Sequence, residues 1–176
     1  MKTSKETIIE VLLKLLHEKS FEELKVKEIV QKAKISRSTF YLHFADKYEL
    51  MEEVRRELND RFLSFYQQRQ LQWEKPIPLH LCEHIIKYRS FYEVEFEDSN
   101  AMRKLSNKLT VHLMQVFGDQ DYAIFASYGT NGYLSFWVKD GFTISPAEAA
   151  EKLLKIGLTN WSKELDFGNF FTNNKY

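Results

Sequence analysis

The chain has 176 residues, with 25 basic and 25 acidic side chains and a formal net charge of zero. Hydrophobic residues make up 44% and charged residues 28%, a balance that excludes a disordered chain. The single cysteine, Cys82, excludes a disulfide framework. The sequence shows neither an apolar leader nor an apolar run of about 18 residues, so we expect no membrane segment and a cytoplasmic location.

The first predicted helix covers residues 5–18. Its apolar residues Ile8, Leu12, Leu15 and Leu16 recur at helical spacing and form one stripe. We expect this stripe to cover the back of the two short helices that follow.

Residues 26–47 predict a pair of short helices joined by a tight turn at residues 34–36. Ser36 is a favourable N-cap for the second helix, because its hydroxyl can accept from a free amide of the first turn. Phe40 and Phe44 are four residues apart and face inward, so the basic, hydroxyl and aromatic side chains between them face outward. A helix of this kind suits the major groove of DNA.

Residues 8–54, and above all the string ISRSTFYLHFADKYEL, resemble the DNA-binding domain of the TetR family of bacterial repressors. The family pattern is filled in register by Ile35, Ser36, Thr39, Phe40, Tyr41, His43, Phe44 and Lys47. The resemblance implies a sequence-specific regulator that binds a palindromic double-stranded operator as a homodimer. The residues expected to bind DNA are Lys25, Ser36, Arg37, Ser38, Thr39, Tyr41, Leu42, His43 and Lys47. We take repression as the expected mode.

Three positions depart from the family pattern. The family usually has Gly at the positions of Ser20 and Lys34, where a helix ends in a left-handed turn, and a larger residue there costs roughly 1–2 kcal/mol. Lys25 stands where the family often has a phosphate-binding Thr.

A longer helix is predicted to begin after Asp46, with Glu49 placed as in a capping box. Lys47 is then its first residue, beside a positive helix terminus where a phosphate could bind. The apolar spacing fades near Trp73, so this helix leads from the DNA-binding domain, residues 1–48, into a second domain, residues 49–176.

Residues 49–176 predict further helices and no strands, which gives an all-α fold of about nine helices. The boundaries are marked by Pro76, by Gly118-Asp119 and by the start signal Ser145-Pro146. The last helix is expected to run to about residue 165. The ending of the chain is similar to the C-terminal domain of the branch that contains dihydroxyacetone kinase operon activators.

The last two helices carry more apolar residues than one body can bury, which favours a homodimer joined by a four-helix bundle. The residues expected at this interface are Gly129, Gly132, Leu153, Ile156 and Trp161. Aromatic residues are frequent after residue 60 and predict a large core or a cavity for a small-molecule effector. Its expected lining is His84, Tyr88, Tyr92, Phe96, Phe125 and Tyr128.

Charge is distributed unevenly along the chain. The region of residues 25–47 is basic, whereas residues 93–98 carry four acids and no base. A basic domain on an acidic body would turn one end of the protein toward DNA.

Two alternatives remain open. One is a DNA-bound coactivator whose body is controlled by a partner protein. The other is a helical metal-binding or enzymatic protein that uses His80 and His84, one turn apart, with Cys82 between them. The sequence contains no Gly-rich phosphate loop and no G-x-S-x-G or H-E-x-x-H motif, so we expect no enzyme and no cofactor.

Overall fold

The computed structural model describes residues 2–67 and 75–159, which form nine α-helices and no strand. The helices are α1 (Ser4–Leu15), α2 (Val26–Ala33), α3 (Arg37–His43), α4 (Lys47–Gln67), α5 (Ile77–Lys87), α6 (Arg89–Glu97), α7 (Ser99–Phe117), α8 (Gln120–Lys139) and α9 (Pro146–Leu158). The predicted all-α fold of about nine helices is confirmed. None of the described helices is long and apolar enough to cross a membrane.

The first three helices form a compact unit in which α1 packs against both α2 and α3. Thr3 and Glu6 form a capping box that begins α1, and the predicted stripe from Ile8 to Leu16 is buried. α1 ends at Leu15, earlier than predicted.

Helix α4 connects this unit to the body. Asp46 begins it as predicted, because its carboxylate accepts hydrogen bonds from the backbone amides of Tyr48 and Glu49. Glu49 reaches back to the amide of Ala45 rather than to that of Asp46. Buried residues recur along α4 from Leu50 to Phe65, so one continuous apolar core runs from the N-terminal unit into the body.

The body is built on the antiparallel pair α7 and α8, with α9 packed on α5. The predicted bounds of α7 are confirmed. The predicted start of α9 is also confirmed: Ser145 is its N-cap, Pro146 is its first residue, and Glu148 completes the capping box with Ser145. A polar seam joins α7 to α8, in which Asn131 donates to Ser106 over 2.9 Å. The predicted ends of α4 near Trp73 and of α9 near residue 165 lie outside the described residues.

Helix α6 lies between the body and the N-terminal unit. The Oγ atom of Ser90 is 2.6 Å from Nδ1 of His17 at the end of α1. Further along α6, the fully buried Glu95 accepts hydrogen bonds from Arg55 and Asn59 of α4. The acidic run of residues 93–98 is therefore partly a structural element of the core, and only part of it faces water.

Candidate nucleic-acid interface

The turn between α2 and α3 fixes where α3 begins. Lys34 ends α2 with φ 55° and ψ 42°, the left-handed conformation that the family pattern predicts for this position. Ser20, by contrast, has no positive φ. Ser36 begins α3 as predicted, because its hydroxyl accepts from the amide of Thr39 over 3.0 Å and also contacts the hydroxyls of Ser38 and Thr39.

Helix α3 has one buried face and one free face. Phe40 is completely buried, and Phe44, just after the helix, is 3% exposed. Arg37, Ser38 and Tyr41 are exposed, and Leu42 is 80% exposed. The free face of α3 thus carries a cation, a hydroxyl group, an aromatic ring and an apolar side chain, all open to water.

The charges beside this face are free to act on a ligand. Within residues 2–67 and 75–159, Lys25, Lys27, Lys34 and Arg37 form no ion pair. Lys32 differs, because it pairs with Glu18. Lys25 and Lys27 lie at the start of α2, Lys34 lies in the turn before α3, and Arg37 is the first residue of α3.

Two of the predicted contact residues have partners inside the protein. The Nε2 atom of His43 is 2.7 Å from the hydroxyl of Ser4, the first residue of α1. The ammonium of Lys47 donates to the carbonyl oxygens of Phe21 and Glu22 over 2.9 and 2.8 Å. His43 therefore connects α3 to the start of α1, and Lys47 connects α4 to the segment between α1 and α2.

The sequence that builds this unit is recognised as a family domain. The profile described as "Bacterial regulatory proteins, tetR family" matches residues 8–54, from the middle of α1 into α4. Residues 8–54 thus match the DNA-binding domain of the TetR family.

Two relatives of this chain are uncharacterized HTH-type transcriptional regulators from Bacillus subtilis (strain 168). YxbF is 23% identical over 163 residues, which cover 84% of this chain and 43% of the relative. YuxN is 22% identical over 179 residues, which cover 88% of this chain and 62% of the relative. The chain thus spans less than two thirds of the length of either protein.

Solved structures share the fold over most of this chain. A TerR/AcrR family transcriptional regulator from Aquifex aeolicus VF5 superposes with a TM-score of 0.70 at 21% identity, covering 89% of this chain and 98% of the other. The dihydroxyacetone kinase operon activator DhaS superposes with a TM-score of 0.69 at 17% identity, covering 87% of this chain and 93% of the DhaS chain. These likenesses extend the shared fold into the body.

Four of the six residues predicted to line an effector site come together in the body. His84 and Tyr92 are buried, and Nε2 of His84 is 2.9 Å from the hydroxyl of Tyr92. Burial lowers the pKa of His84 to about 4 and raises that of Tyr92 well above its usual value, so both are neutral near pH 7. Tyr88 and Phe96 contact this pair through their rings.

The structure does not place Phe125 and Tyr128 with these four residues. Phe125 is 67% exposed on α8, and the half-exposed Tyr128 donates its hydroxyl to Asn107 of α7 over 2.9 Å. Both lie on the outer side of α8, because its opposite side is filled by Ala123, Ser127, Asn131 and Leu134.

The outer side of α8 carries an apolar stripe. Tyr122, Phe125 and Phe136 are 70%, 67% and 66% exposed, and Gly129 and Gly132 lie between them along the helix. A Cβ atom added at either glycine would have no neighbour within 4 Å, so neither glycine makes room for another part of the described chain. The alternating spacing of three and four residues from 122 to 136 is a sequence signal for one face, which our prediction used only at the two glycines.

The other residues predicted at the dimer interface do not share one exposed surface in the described part of the chain. Leu153 is buried, on the helix α9 that packs against α5. Ile156 is 41% exposed. Trp161 lies outside the described residues.

The histidines considered for a metal site make other contacts. The ring of His80 stacks on Phe65 at 5.4 Å, whereas His84 is bonded to Tyr92. Cys82 between them is buried, and burial raises its pKa to about 12, which disfavours the thiolate that a metal requires. Among the described residues, no three His, Cys, Asp or Glu side chains are grouped to hold a metal ion.

Proposed function

We propose that this chain is a sequence-specific DNA-binding transcriptional regulator that acts as a homodimer in the cytoplasm. The observation that carries the proposal is the free face of α3, a capped helix held from behind by Phe40 and presenting Arg37, Ser38, Tyr41 and Leu42. The N-terminal residues of a recognition helix are those that reach base edges in the major groove.

Each exposed residue of α3 has a chemical role in this proposal. Arg37 carries the planar fork that can hold O6 and N7 of one guanine. Leu42 has no polar group, so it is suited to a thymine methyl. Tyr41 and Lys25 would contact phosphates and would contribute affinity without sequence preference.

The stripe on α8 supports the homodimer. Tyr122, Phe125 and Phe136 form an apolar face around the two glycines, where a second helix could approach closely. Pairing of two such faces around a twofold axis would bury these rings. On α9, Leu154 and Leu158 are also exposed and could extend the interface into a four-helix bundle.

A small-molecule effector would act through the cluster of His84 and Tyr92. This cluster places two neutral hydrogen-bonding groups among aromatic rings, the usual composition of a small-molecule site. Tyr92 belongs to α6, which is hydrogen-bonded through Ser90 to His17, two residues after the end of α1, and through Glu95 to α4. A ligand that displaces α6 would therefore change the placement of the N-terminal unit.

Selection of bound duplexes from a random DNA pool tests the proposal. We expect enrichment of a palindrome whose half-sites are about one helical turn, or a multiple, apart. A protein in which Arg37 and Tyr41 are both replaced by Ala is the control and should enrich no such site. Failure of the parent protein to enrich any sequence would refute the proposal, and an enriched site without twofold symmetry would refute the homodimer.

Transcription from a reporter carrying the selected site determines the direction of regulation. We expect repression, although the similar protein DhaS is described as an operon activator. Increased transcription in the presence of the protein would assign activation instead.

A further inference from the structure

The ammonium of Lys47 occupies a specific polar and aromatic site inside the N-terminal unit. It donates to the carbonyl oxygens of Phe21 and Glu22 over 2.9 and 2.8 Å. It also lies 4.8 Å from the ring centroid of Phe21 and 5.2 Å from that of Tyr48. These two rings contact each other edge to face, with centroids 5.6 Å apart.

This arrangement joins segments that are distant along the chain. Phe21 and Glu22 belong to the connection between α1 and α2, whereas Lys47 is the first residue of α4. The ammonium therefore ties the segment before α2 to the helix that leads into the body. Phe21, Glu22 and Tyr48 also line a cleft whose other wall includes Val94 of α6.

The same contacts limit what Lys47 can offer to DNA. An ammonium has three N–H donors, and two of them already point at carbonyl oxygens. These carbonyl dipoles and the faces of two rings also stabilise its positive charge inside the protein. Lys25 differs, because it is exposed and forms no ion pair within the described residues.

We propose that Lys47 is a positioning residue for DNA binding, which fixes the helix-turn-helix unit on α4, and that it does not bind phosphate. This inference rests on the proposed function. In a homodimer the two recognition helices must match the spacing of two half-sites. A residue that fixes each unit on its connecting helix would sharpen the preference for one spacing.

The experiment compares three variants on operators whose half-site spacing is varied by one base pair at a time. In Lys47→Met, which keeps the apolar stem, we expect about tenfold weaker binding at the best spacing, a flatter spacing preference and an unchanged salt slope. Lys47→Arg can donate to both carbonyls and should restore the spacing preference. The matched control Lys25→Met should lower the salt slope by about one and leave the spacing preference intact.

The opposite pattern would overturn the inference. If Lys47→Met lowers the salt slope by about one and keeps the parent's spacing preference, Lys47 contacts a phosphate. Unchanged binding in this variant would also exclude a positioning role.

Amide hydrogen exchange of the free protein tests the contact without DNA. The amide of Leu24 is bonded to the carbonyl of Phe21, so loss of the ammonium should speed its exchange in Lys47→Met, by about tenfold, and much less in Lys25→Met. If exchange at Leu24 is unchanged in Lys47→Met while the parent protein selects DNA normally, only the positioning role of Lys47 is overturned. Failure of the parent to select DNA would instead overturn the proposed function on which this role rests.

Discussion

The guanidinium of Arg55 donates from Nε to Oε2 of Glu95 over 2.7 Å, and this pair joins α4 to α6. The side chain of Glu95 has no exposed surface, and its other carboxylate oxygen accepts from Asn59 over 2.8 Å. Both oxygens of this buried carboxylate are therefore occupied by groups of α4, the helix that leads to the DNA-binding unit.

Replacing Glu95 with Gln should lower the free energy of unfolding by about 3 kcal/mol, because it leaves the charge of Arg55 without its buried partner. The loss is at the lower end of the range for buried pairs, since Arg55 also pairs with Glu52 and Asp98. Urea denaturation measures it. The control Glu93→Gln removes an exposed pair with Arg89 and should cost less than about 1 kcal/mol. Equal costs for the two variants would contradict the structural role of Glu95.

Replacing Arg37 with Ala should relax base preference at one symmetric pair of operator positions. The expected loss of discrimination is about 1–3 kcal/mol, the range for a bidentate contact to guanine. A panel of operators with single base changes measures it by fluorescence anisotropy. Lys25→Ala is the control and should weaken binding to every operator alike. The same uniform loss in Arg37→Ala would show that Arg37 holds only the backbone.

Replacing Lys34 with Gly should raise the free energy of unfolding by about 0.5–1 kcal/mol, since Lys34 adopts the left-handed conformation that favours glycine. Ser20→Gly is the matched control at the other position where the family usually has glycine. Ser20 has no positive φ, so this change should lower stability by about 0.5 kcal/mol through the unfolded state. Denaturant midpoints for the two variants should shift in opposite directions. A lower midpoint for Lys34→Gly would contradict the expectation.

Lowering the pH from 7 to 5 should reduce the stability of the parent by about 2 kcal/mol through His84 alone. Burial lowers the pKa of His84 from its usual 6.5 to about 4, so the unfolded chain binds the proton more readily. Stability is then lost as the pH falls from about 6.5 toward 4. Glu53 adds a further loss of stability at lower pH, as the pH falls from about 4.5 toward 2, because hydrogen bonds from Arg56 and Lys5 lower its pKa from 4.5 to about 2.

Thermal unfolding at several pH values checks this dependence. His84→Gln keeps a hydrogen-bonding side chain and should lose most of the change between pH 7 and 5. His112→Gln, at a partly exposed position on α7, should keep it. Identical pH profiles for the parent and His84→Gln would exclude His84 as the source.

Replacing Phe125 with Glu should convert the proposed dimer into a folded monomer. The ring is 67% exposed in the single chain, so the substitution leaves the protomer's own core intact while placing a charge at the centre of the paired stripe. Sedimentation velocity at micromolar concentration measures the mass. Leu42→Glu is the control, because it changes an even more exposed apolar residue, on α3. A parent protein that is itself monomeric under these conditions would refute the interface.

The local features of the fold could be predicted from the sequence. Ser36 and Ser145 each precede a helix and accept its first free amides, a pattern set by neighbouring residues alone. The register of the helix-turn-helix unit follows for the same reason, because the burial of Phe40 is fixed by helical spacing.

Contacts between distant residues could not be predicted in this way. Glu95 lies in an acidic run that indicates a solvated surface, and only the packing of α6 on α4 brings Arg55 and Asn59 to it. The partners of Lys47 lie 25 and 26 residues earlier in the chain. The aromatic character of Phe125 predicts a place in the effector site, but the direction of its side chain is set by which side of α8 packs on α7.

The burial of Cys82 has a practical consequence for measuring motion in this protein. Its thiol is fully buried with a pKa of about 12, so a thiol-specific dye added at neutral pH would leave the folded protein unlabelled at this position. A cysteine introduced on the exposed face of α3 would then take up the dye selectively, with the native sequence otherwise retained. Distances between the two labelled recognition helices of a dimer could be followed in this way, and delayed labelling of Cys82 would report when the core around α5 opens.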